Sequence, residues 1–436
     1  MADEEHFNLV RDISIVIPPN KEEDEVRINA DSMAASFENM MSQKLTMSDK
    51  CCIFRIPYIL QRHNEKAYIP NAFAIGPWHH NTEKLKPTEK IKLKYLRGLL
   101  SRSPCRETRL KEFINTIAGV EKEAREYYAG PIDVNVDKFV QILVLDGCFL
   151  IELFRKDDDE KLRDSDDPIF NMSCMLQYLY HDLILLENQI PWMVLERLFN
   201  MTTRPGSKPL VELALKFFSN IFSSTPPPSV QDHKGHKHML DLLRAWLVLS
   251  SGKEEDVKPG WQSMPSATNL LDAGIKFSPG NSKSILDIKF TDGVLEIPPL
   301  LIQETTEVII RNLISYEQCT PNCSARITSY AILLDNLINT TRDMDILSQN
   351  GIIDNWLNPE DATQFFNKLY HDAYVKRYYY LDLCAEVNKY CERRCPKWRA
   401  MFMRNYFGTP WAIASLSAAS TLLILTIVQT VFSILK

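Results

Sequence analysis

Glycine is scarce in this chain, 14 in 436 residues, which disfavours α/β designs that cradle phosphates in glycine-rich loops. The sequence has no G-x-G-x-x-G, no G-x-x-x-x-G-K-[ST], no H-E-x-x-H and no G-x-S-x-G. Dinucleotide, P-loop, zinc-peptidase and serine-hydrolase chemistry therefore have no local signature. Positive charge is not in surplus either. A net charge of −6 and an isoelectric point near 5.9 argue against a general nucleic-acid binder. The first thirty residues are acidic and lack an apolar run of signal-peptide length: ISIVIPP is too short, and Asp12 is close before it. No internal repeat aligns.

Disulfide spacing is missing as well. The ten cysteines are scattered through a chain long enough to bury a core without staples, so they read as free thiols of a reducing compartment. Two pairs, Cys319 with Cys323 and Cys391 with Cys395, have the i, i+4 spacing that puts both sulfurs on one helix face. Pro321 interrupts the first pair, Pro396 follows the second, and no histidine pair completes either as a zinc finger. Neither a metal nor another cofactor is expected. Cys391 and Cys395 adjoin a basic run, where S-palmitoylation is the modification to consider.

What is abundant lies at the end. Trp411–Leu435 is 25 residues without a charge, followed by Lys436. At about 1.5 Å per residue such a helix crosses a hydrocarbon core of roughly 30 Å. The flank at 391–410 carries Arg393, Arg394, Lys397, Arg399 and Arg404 against Glu392, and the positive-inside bias places the preceding region in the cytosol. With no signal at the start, the pattern is that of a tail-anchored, single-pass protein whose lipid contact is Trp411–Leu435. The opposite reading puts the domain on the extracellular face of the plasma membrane. It draws on four N-x-S/T sequons, at Asn171, Asn200, Asn322 and Asn339.

Between the ends the periodicity is mostly helical. Residues 1–48 read as a mobile acidic arm with a short helix around Ala30–Ser42. Helices are expected over Thr88–Arg102, Val134–Arg155, one or two over Phe170–Asn200 divided by Pro191, and about His238–Leu249. Others follow over Thr305–Tyr316, Ile327–Asn339, Pro359–Leu369 and Tyr374–Cys391. The loop KDDDEKLRDSDDP reads as a solvated connector, and His233, His236 and His238 as solvated side chains. Alternating apolar residues around Asp292-Gly293 predict a β-hairpin within Ser284–Ile302, joined by Ala273–Phe277 as a third strand. The fold class expected is mainly α with a small antiparallel hairpin or sheet: one α-rich domain over 49–405, then a transmembrane helix over 411–435.

The segment CCIFRIPYILQRHNEKAYIPNAFAIGPWHH (Cys51–His80) resembles the opening of the plant family called domain of unknown function 247. Its I-x-R-V-P, N-x-x-A-Y-x-P and I-G-P-[YFW]-H-H elements are matched by Arg55, Pro57, Asn64, Ala67, Tyr68, Pro70, Ile75, Gly76, Pro77, His79 and His80. Glu89, Lys90, Tyr95 and Leu96 follow in order. Further matches are LDGCFLIELFR (Leu145–Arg155), HDLILLENQIPWMVLERLF (His181–Phe199), SATNLLDAGIKF (Ser266–Phe277), FTDGVLEIPPLLI (Phe290–Ile302) and TTEVIIRNLISYEQC (Thr305–Cys319). Thr88 stands where a methionine is common. The resemblance spans about residues 50–410 and implies a plant membrane-anchored protein with no general catalytic mechanism. Some relatives are associated with reproductive recognition, such as self-incompatibility in grasses.

Within these motifs the polar residues are the candidate sites. Gly76 and Pro77 present His79 and His80 on a tight turn. Neighbouring side chains in extended backbone point to opposite sides, so one histidine is expected to bond a buried carbonyl and the other to face solvent. Glu187, Asn188 and Gln189 can satisfy loose backbone groups at the break before Pro191. Arg311, Asn312, Glu317 and Gln318 punctuate an apolar helix, and Arg311 is expected to pair with Glu187 or Glu317. The favoured function is a non-enzymatic interaction, signalling or recognition protein, with an unidentified protein partner and no nucleic acid. The alternatives are an enzyme with a site built from His79, His80, Glu187 and Arg311, and extracellular recognition with disulfides and glycans.

Overall fold

The computed structural model describes residues 29–42, 48–203, 206–219, 235–249, 260–282, 284–392 and 410–435. The chain divides into two units, Met1–Met47 and Ser48–Lys436. Of the first unit, α1 (Ala30–Ser42) is the described element, on the residues where the sequence places a helix. The Asn29 side chain accepts from Ser32 N–H at 3.1 Å and caps it. The rest of the acidic arm lies outside the described residues.

The larger unit opens with β1 (Ile53–Phe54), α2 (Tyr58–Gln61), α3 (Lys86–Ser101), α4 (Arg106–Ala118), α5 (Glu121–Arg125) and β2 (Tyr128–Ala129). Then come α6 (Val136–Asp158), α7 (Ser173–Asp182), α8 (Trp192–Thr202), α9 (Leu210–Phe217), α10 (Met239–Leu249) and α11 (Ala267–Asp272). The strands β3 (Lys276–Pro279), β4 (Lys289–Thr291), β5 (Val294–Ile297) and β6 (Leu300–Ile302) follow. After them are α12 (Glu304–Cys319), α13 (Arg326–Leu337), α14 (Thr341–Gln349), β7 (Ile353–Asn355), α15 (Pro359–Phe366), α16 (Leu381–Cys391) and α17 (Pro410–Ile434). The unit is mainly helical with three small sheets.

Two helices that are buried on nearly every face organise it, α6 chiefly through apolar side chains and α12 through apolar and paired polar ones. In α6 the Asn135 side chain caps the start by accepting from Lys138 N–H at 2.8 Å. Phe139, Leu143, Phe149, Ile151 and Phe154 are then fully buried among α3, α4, α8 and α9. In α12, Gln303 and Thr306 form the capping box, and Ile309, Ile310, Leu313 and Ile314 are buried against α7, α10 and α13. Where α6 meets α8, Gly147 leaves no room for a side chain: a Cβ there would collide with Leu198.

The hairpin forms as the alternation predicts. β4 pairs antiparallel with β5 around Asp292-Gly293, both at positive φ. The third strand joins β5 in parallel. Pro191 divides the Phe170–Asn200 stretch into α7 and α8. Other expectations need correction. The expected Tyr374–Cys391 helix starts only at Leu381. The charged loop after α6 is no simple solvated connector: buried Lys156 reaches Asp164 at 2.8 Å and Asp167 at 2.7 Å, and its ammonium lies 4.5 Å from the Tyr95 ring centre. Asp164 and Asp167 of that run neutralise a buried lysine. α4, α9, α14 and the parallel pairs β1–β2 and β6–β7 went unread, since each is short or buried by partners distant in sequence.

Two glycines separate packing from propensity. Gly147→Ala should lower stability by about 1–3 kcal/mol, because Leu198 cannot yield without strain in a close-packed core. Gly98→Ala, in α3, meets nothing nearer than Glu152 Oε1 at 3.9 Å and should raise stability by about 1 kcal/mol through helix propensity. Denaturant melts of the two variants read out both signs.

Candidate functional site

Residues 69–81, between two short 3-10 turns, belong to no helix or strand, yet Phe73, Ala74 and Ile75 are buried. Every buried N–H and C=O on such a path needs a partner. Side chains from distant helices supply them. Asp182, at the end of α7, accepts from the N–H groups of Asn71, Ala72 and Phe73 at 2.7–2.8 Å. Asn188 accepts from Ile75 N–H at 2.7 Å and donates to the Phe73 carbonyl at 2.9 Å. Asp146 of α6 accepts from Gly76 N–H at 2.8 Å, and Lys92 of α3 donates to the Ala74 carbonyl. Gly76 itself sits at φ +79, and a Cβ there would strike the Gln189 carbonyl. The G-P turn is therefore a requirement of backbone geometry.

Of the predicted residues, His79 and Glu187 are brought together. Glu187 accepts from the Arg55 guanidinium at 2.8 Å, from Ile56 N–H at 2.8 Å and from the Gln61 amide at 3.4 Å. His79 Nε2 stands 3.9 Å from the same carboxylate. Burial pulls the His79 pKa below its usual value, Glu187 opposes that and Arg55 adds to it. Arg55 also lies over Trp78, its guanidinium carbon 4.4 Å from the ring centre. Neither Trp78 Nε1 nor His79 Nε2 has a hydrogen-bond partner among the described residues. The expectation that one histidine bonds a carbonyl and its neighbour faces solvent does not hold: both are half-buried, on opposite sides of the turn. His80 instead lines a cleft of about 260 Å³ with Lys92 and Asp146. There burial opposes the charge of Lys92, but Asp146 at 2.7 Å and Glu89 at 2.6 Å outweigh it, so Lys92 titrates above its usual value.

Arg311 joins neither Glu187 nor Glu317. It pairs with Glu307, one turn back on α12, at 2.7 Å and donates to the Lys368 carbonyl at 3.1 Å. Sequence spacing favoured that i, i+4 partner, and the longer-range choices were wrong. Glu317 pairs with Arg244 of α10 at 3.0 Å and also accepts from Ile327 and Thr328 N–H groups. Asn312 accepts from Leu186 N–H at 2.9 Å and donates to the Ala67 carbonyl at 2.9 Å. Gln189 donates to the Leu183 and Leu185 carbonyls, and Gln318 accepts from Tyr374 N–H at 2.9 Å. The four residues of the enzyme alternative thus occupy three separate places. Asp146, Asp182, Lys92 and Arg244 went unremarked as partners. The readable signal for Asp146 was a charge inside an apolar run, LVLDGCFL.

His238, expected to be solvated, is fully buried. Its Nδ1 accepts from Asp241 N–H at 3.3 Å, so Nε2 carries the proton and donates to the Cys52 carbonyl at 3.1 Å. His236 is half-buried beside Trp192, and His233 lies outside the described residues. The nine described cysteines are free thiols, and no group of three potential metal ligands occurs among the described residues. Cys395 lies outside them.

Charge and protonation give two tests. Glu187→Ala, which strands the buried Ile56 N–H, and Arg311→Ala, which removes a buried side chain and its bonds to Glu307 and the Lys368 carbonyl, should each cost about 3 kcal/mol; His79→Ala, with no hydrogen bond at Nε2 to lose, should cost under about 1 kcal/mol. Equal melting of all three would break this ranking. His238 has its pKa lowered to about 4, chiefly by burial. The unfolded chain takes up this proton below about pH 6.5 and the folded chain only near 4. Its contribution is therefore complete above pH 6.5 and is lost as pH falls from 6.5 toward 4. Melting against pH should show that slope, flattened in His238→Gln.

Comparison with known proteins gives relatives along nearly the whole chain. UPF0481 protein At3g47200 of Arabidopsis thaliana is 27% identical over 417 residues, covering 89% of this chain and 87% of the relative. Putative UPF0481 protein At3g02645 of the same plant is 20% identical, covering 91% of this chain and 92% of its own. No solved structure matches. The family model DUF247, plant protein of unknown function, matches residues 53–425, from β1 well into α17. On that extent, the chain belongs to the DUF247 family of plant proteins of unknown function.

Proposed function

We propose that this protein is anchored in a membrane by α17 and acts by binding a partner protein, without catalysing a reaction. The observation that carries the anchor is the helix itself. Ile413–Ile434 has a mean hydropathy of 1.8 and none of its most apolar window is buried. The hydroxyls of Ser420, Thr421, Thr426 and Thr430 each donate to the carbonyl four residues earlier at 2.8 Å. No side-chain hydroxyl of these four is left unpaired for lipid to meet. The basic residues Arg393, Arg394, Lys397, Arg399 and Arg404 favour the cytosolic face for the family region.

Two features support binding over catalysis. The polar residues of the motifs are engaged in holding backbone and ion pairs together, and His79, His80 and Arg311 do not meet. Meanwhile Tyr58 and Tyr374 are about three-quarters exposed. They sit on segments clamped to each other by Arg62 on Asp372 at 2.7–2.8 Å and by the stacked rings of His63 and His371. Exposed aromatics on a fixed base are what partner surfaces use as anchors.

In isolated plant microsomes the full chain should resist alkaline extraction, and a chain cut before Trp411 should be extracted. Protease added outside sealed vesicles should digest the family region. Protection of that region, or glycans on Asn171, Asn200, Asn322 or Asn339, would overturn the orientation. Proteins recovered with the intact chain should be lost from the Tyr58→Ala, Tyr374→Ala double variant and kept by His79→Ala. The reverse pattern would move the function to the His79–Glu187 cluster.

A further inference from the structure

Beside their core-facing residues, α3, α4 and α6 of the larger unit each leave one large apolar side chain exposed: Leu93, Ile114 and Val136. α3 buries Tyr95 and Leu99 in the core but turns Leu93 and Leu96 another way. α4 buries Phe113 and Ile117, while Leu110 and Ile114 form a separate i, i+4 row. On α6 Val136 is exposed, while Val140 and Val144 are buried in the core and line the groove from beneath. These residues face one another across a groove of about 450 Å³, within the size range of small-ligand sites. Its mouth leaves large apolar side chains in water: Leu93 and Val136 are 54% exposed and Ile114 is 41% exposed. Such a cluster is costly unless something covers it.

The groove has a polar annex. Leu93, Gln141 and Leu145 line both the groove and the 260 Å³ cleft that holds His80. The annex is lined by Lys86, Lys92 and Lys138 against Glu89 and Asp146, and Asp137 lines the adjoining groove. Lys92 is consumed by its two carboxylates, and Lys86 pairs with exposed Glu83. Lys138 has no carboxylate within ion-pair distance among the described residues; its ammonium donates to Gln141 Oε1 at 3.1 Å and keeps two further N–H donors. The His80 pKa is lowered, first by burial and then by Lys138, with Glu89 opposing and Lys92 and Lys86 adding to it.

We infer that this bipartite cleft binds a single-chain amphiphile with a carboxylate head, a fatty-acid-like molecule whose chain lies between α3, α4 and α6 and whose head meets Lys138 beside His80. The apolar walls select an unbranched or ring-bearing hydrocarbon body with little polarity. Lys138, the annex lysine with no carboxylate partner among the described residues, takes the carboxylate head. The site is separate from the Tyr58–Tyr374 surface and does not depend on whether α17 spans a membrane.

The test uses the full chain in lipid nanodiscs and a photoreactive palmitate analogue with a diazirine in its chain. Cross-linked residues are mapped by mass spectrometry. Labelling is expected on the peptides bearing Leu93, Ile114 and Val140, and excess unlabelled palmitate should suppress it. Ile114→Trp, which fills the exposed mouth, should reduce that labelling at least tenfold with melting unchanged. Lys138→Glu should reduce labelling by the acid about tenfold and leave the weaker labelling by its methyl ester unaltered. Label confined to α17, equal label from acid and ester, or label insensitive to Ile114→Trp would overturn the proposal. A photoreactive lysophosphatidate that labels the groove more strongly than the acid would overturn the choice of a carboxylate head.

Discussion

A backbone that is buried but belongs to no helix or sheet cannot leave its amides without acceptors, and this requirement governs residues 71–77, which are buried from Phe73 onward. Water is excluded there, and an unsatisfied buried amide costs on the order of 1–3 kcal/mol. The protein meets the cost with side chains from elsewhere. Asp182 takes three consecutive N–H groups, and Asn188 bridges an N–H and a carbonyl of the same strand-like path. Asp146 and Lys92 close the turn at Gly76. An ordinary β-strand would have obtained these bonds from a neighbouring backbone, with no demand on side-chain identity. Here each bond demands a particular side chain at a particular place.

That demand explains why charged and amide residues stand inside the apolar runs that were read as motifs. Glu187, Asn188 and Gln189 follow α7 in a single non-helical stretch, and each reaches a different target. Glu187 holds Ile56 and Arg55, Asn188 holds Phe73 and Ile75, and Gln189 holds the carbonyls of Leu183 and Leu185. Asn312 repeats the device from α12, gripping Leu186 on one side and Ala67 on the other. A polar residue used in this way is not free for chemistry. His79 is the exception in degree: its Nε2 stands beside Glu187 at 3.9 Å without a hydrogen bond.

The same packing leaves its surplus at the surface. α6 is surrounded on most sides, but Val136 near its start is exposed, as are Leu93 of α3 and Ile114 of α4. A core helix gains from apolar residues all round; a partly exposed one does not, unless its outer row has an occupant. Tyr58 and Tyr374 are exposed for a different reason. They flank a clamp of ion pairs and stacked rings that fixes two loops.

Much of this was legible in the sequence, and the legible parts share one property: the signal was local. The helix at Ala30–Ser42, the hairpin at Asp292-Gly293, the division at Pro191 and the apolar run from Trp411 each follow from residues within a turn or two. Periodicity and turn chemistry encode such features directly. Arg311 illustrates the limit from one side, since its partner is Glu307, one turn back on the same helix, and neither Glu317 on that helix nor distant Glu187. Lys156, Asp167 and His238 illustrate it from the other. They looked solvated because they lie in polar stretches, and only tertiary packing brought carboxylates, an aromatic ring and the Cys52 carbonyl around them. The sequence by itself determined the helical class, the main element boundaries and the membrane-length helix. Tertiary structure alone decided the pairs that join separate elements, such as Lys92 with Asp146 and Arg244 with Glu317, because a pair's energy depends on a distance across the core that no spacing along the chain specifies.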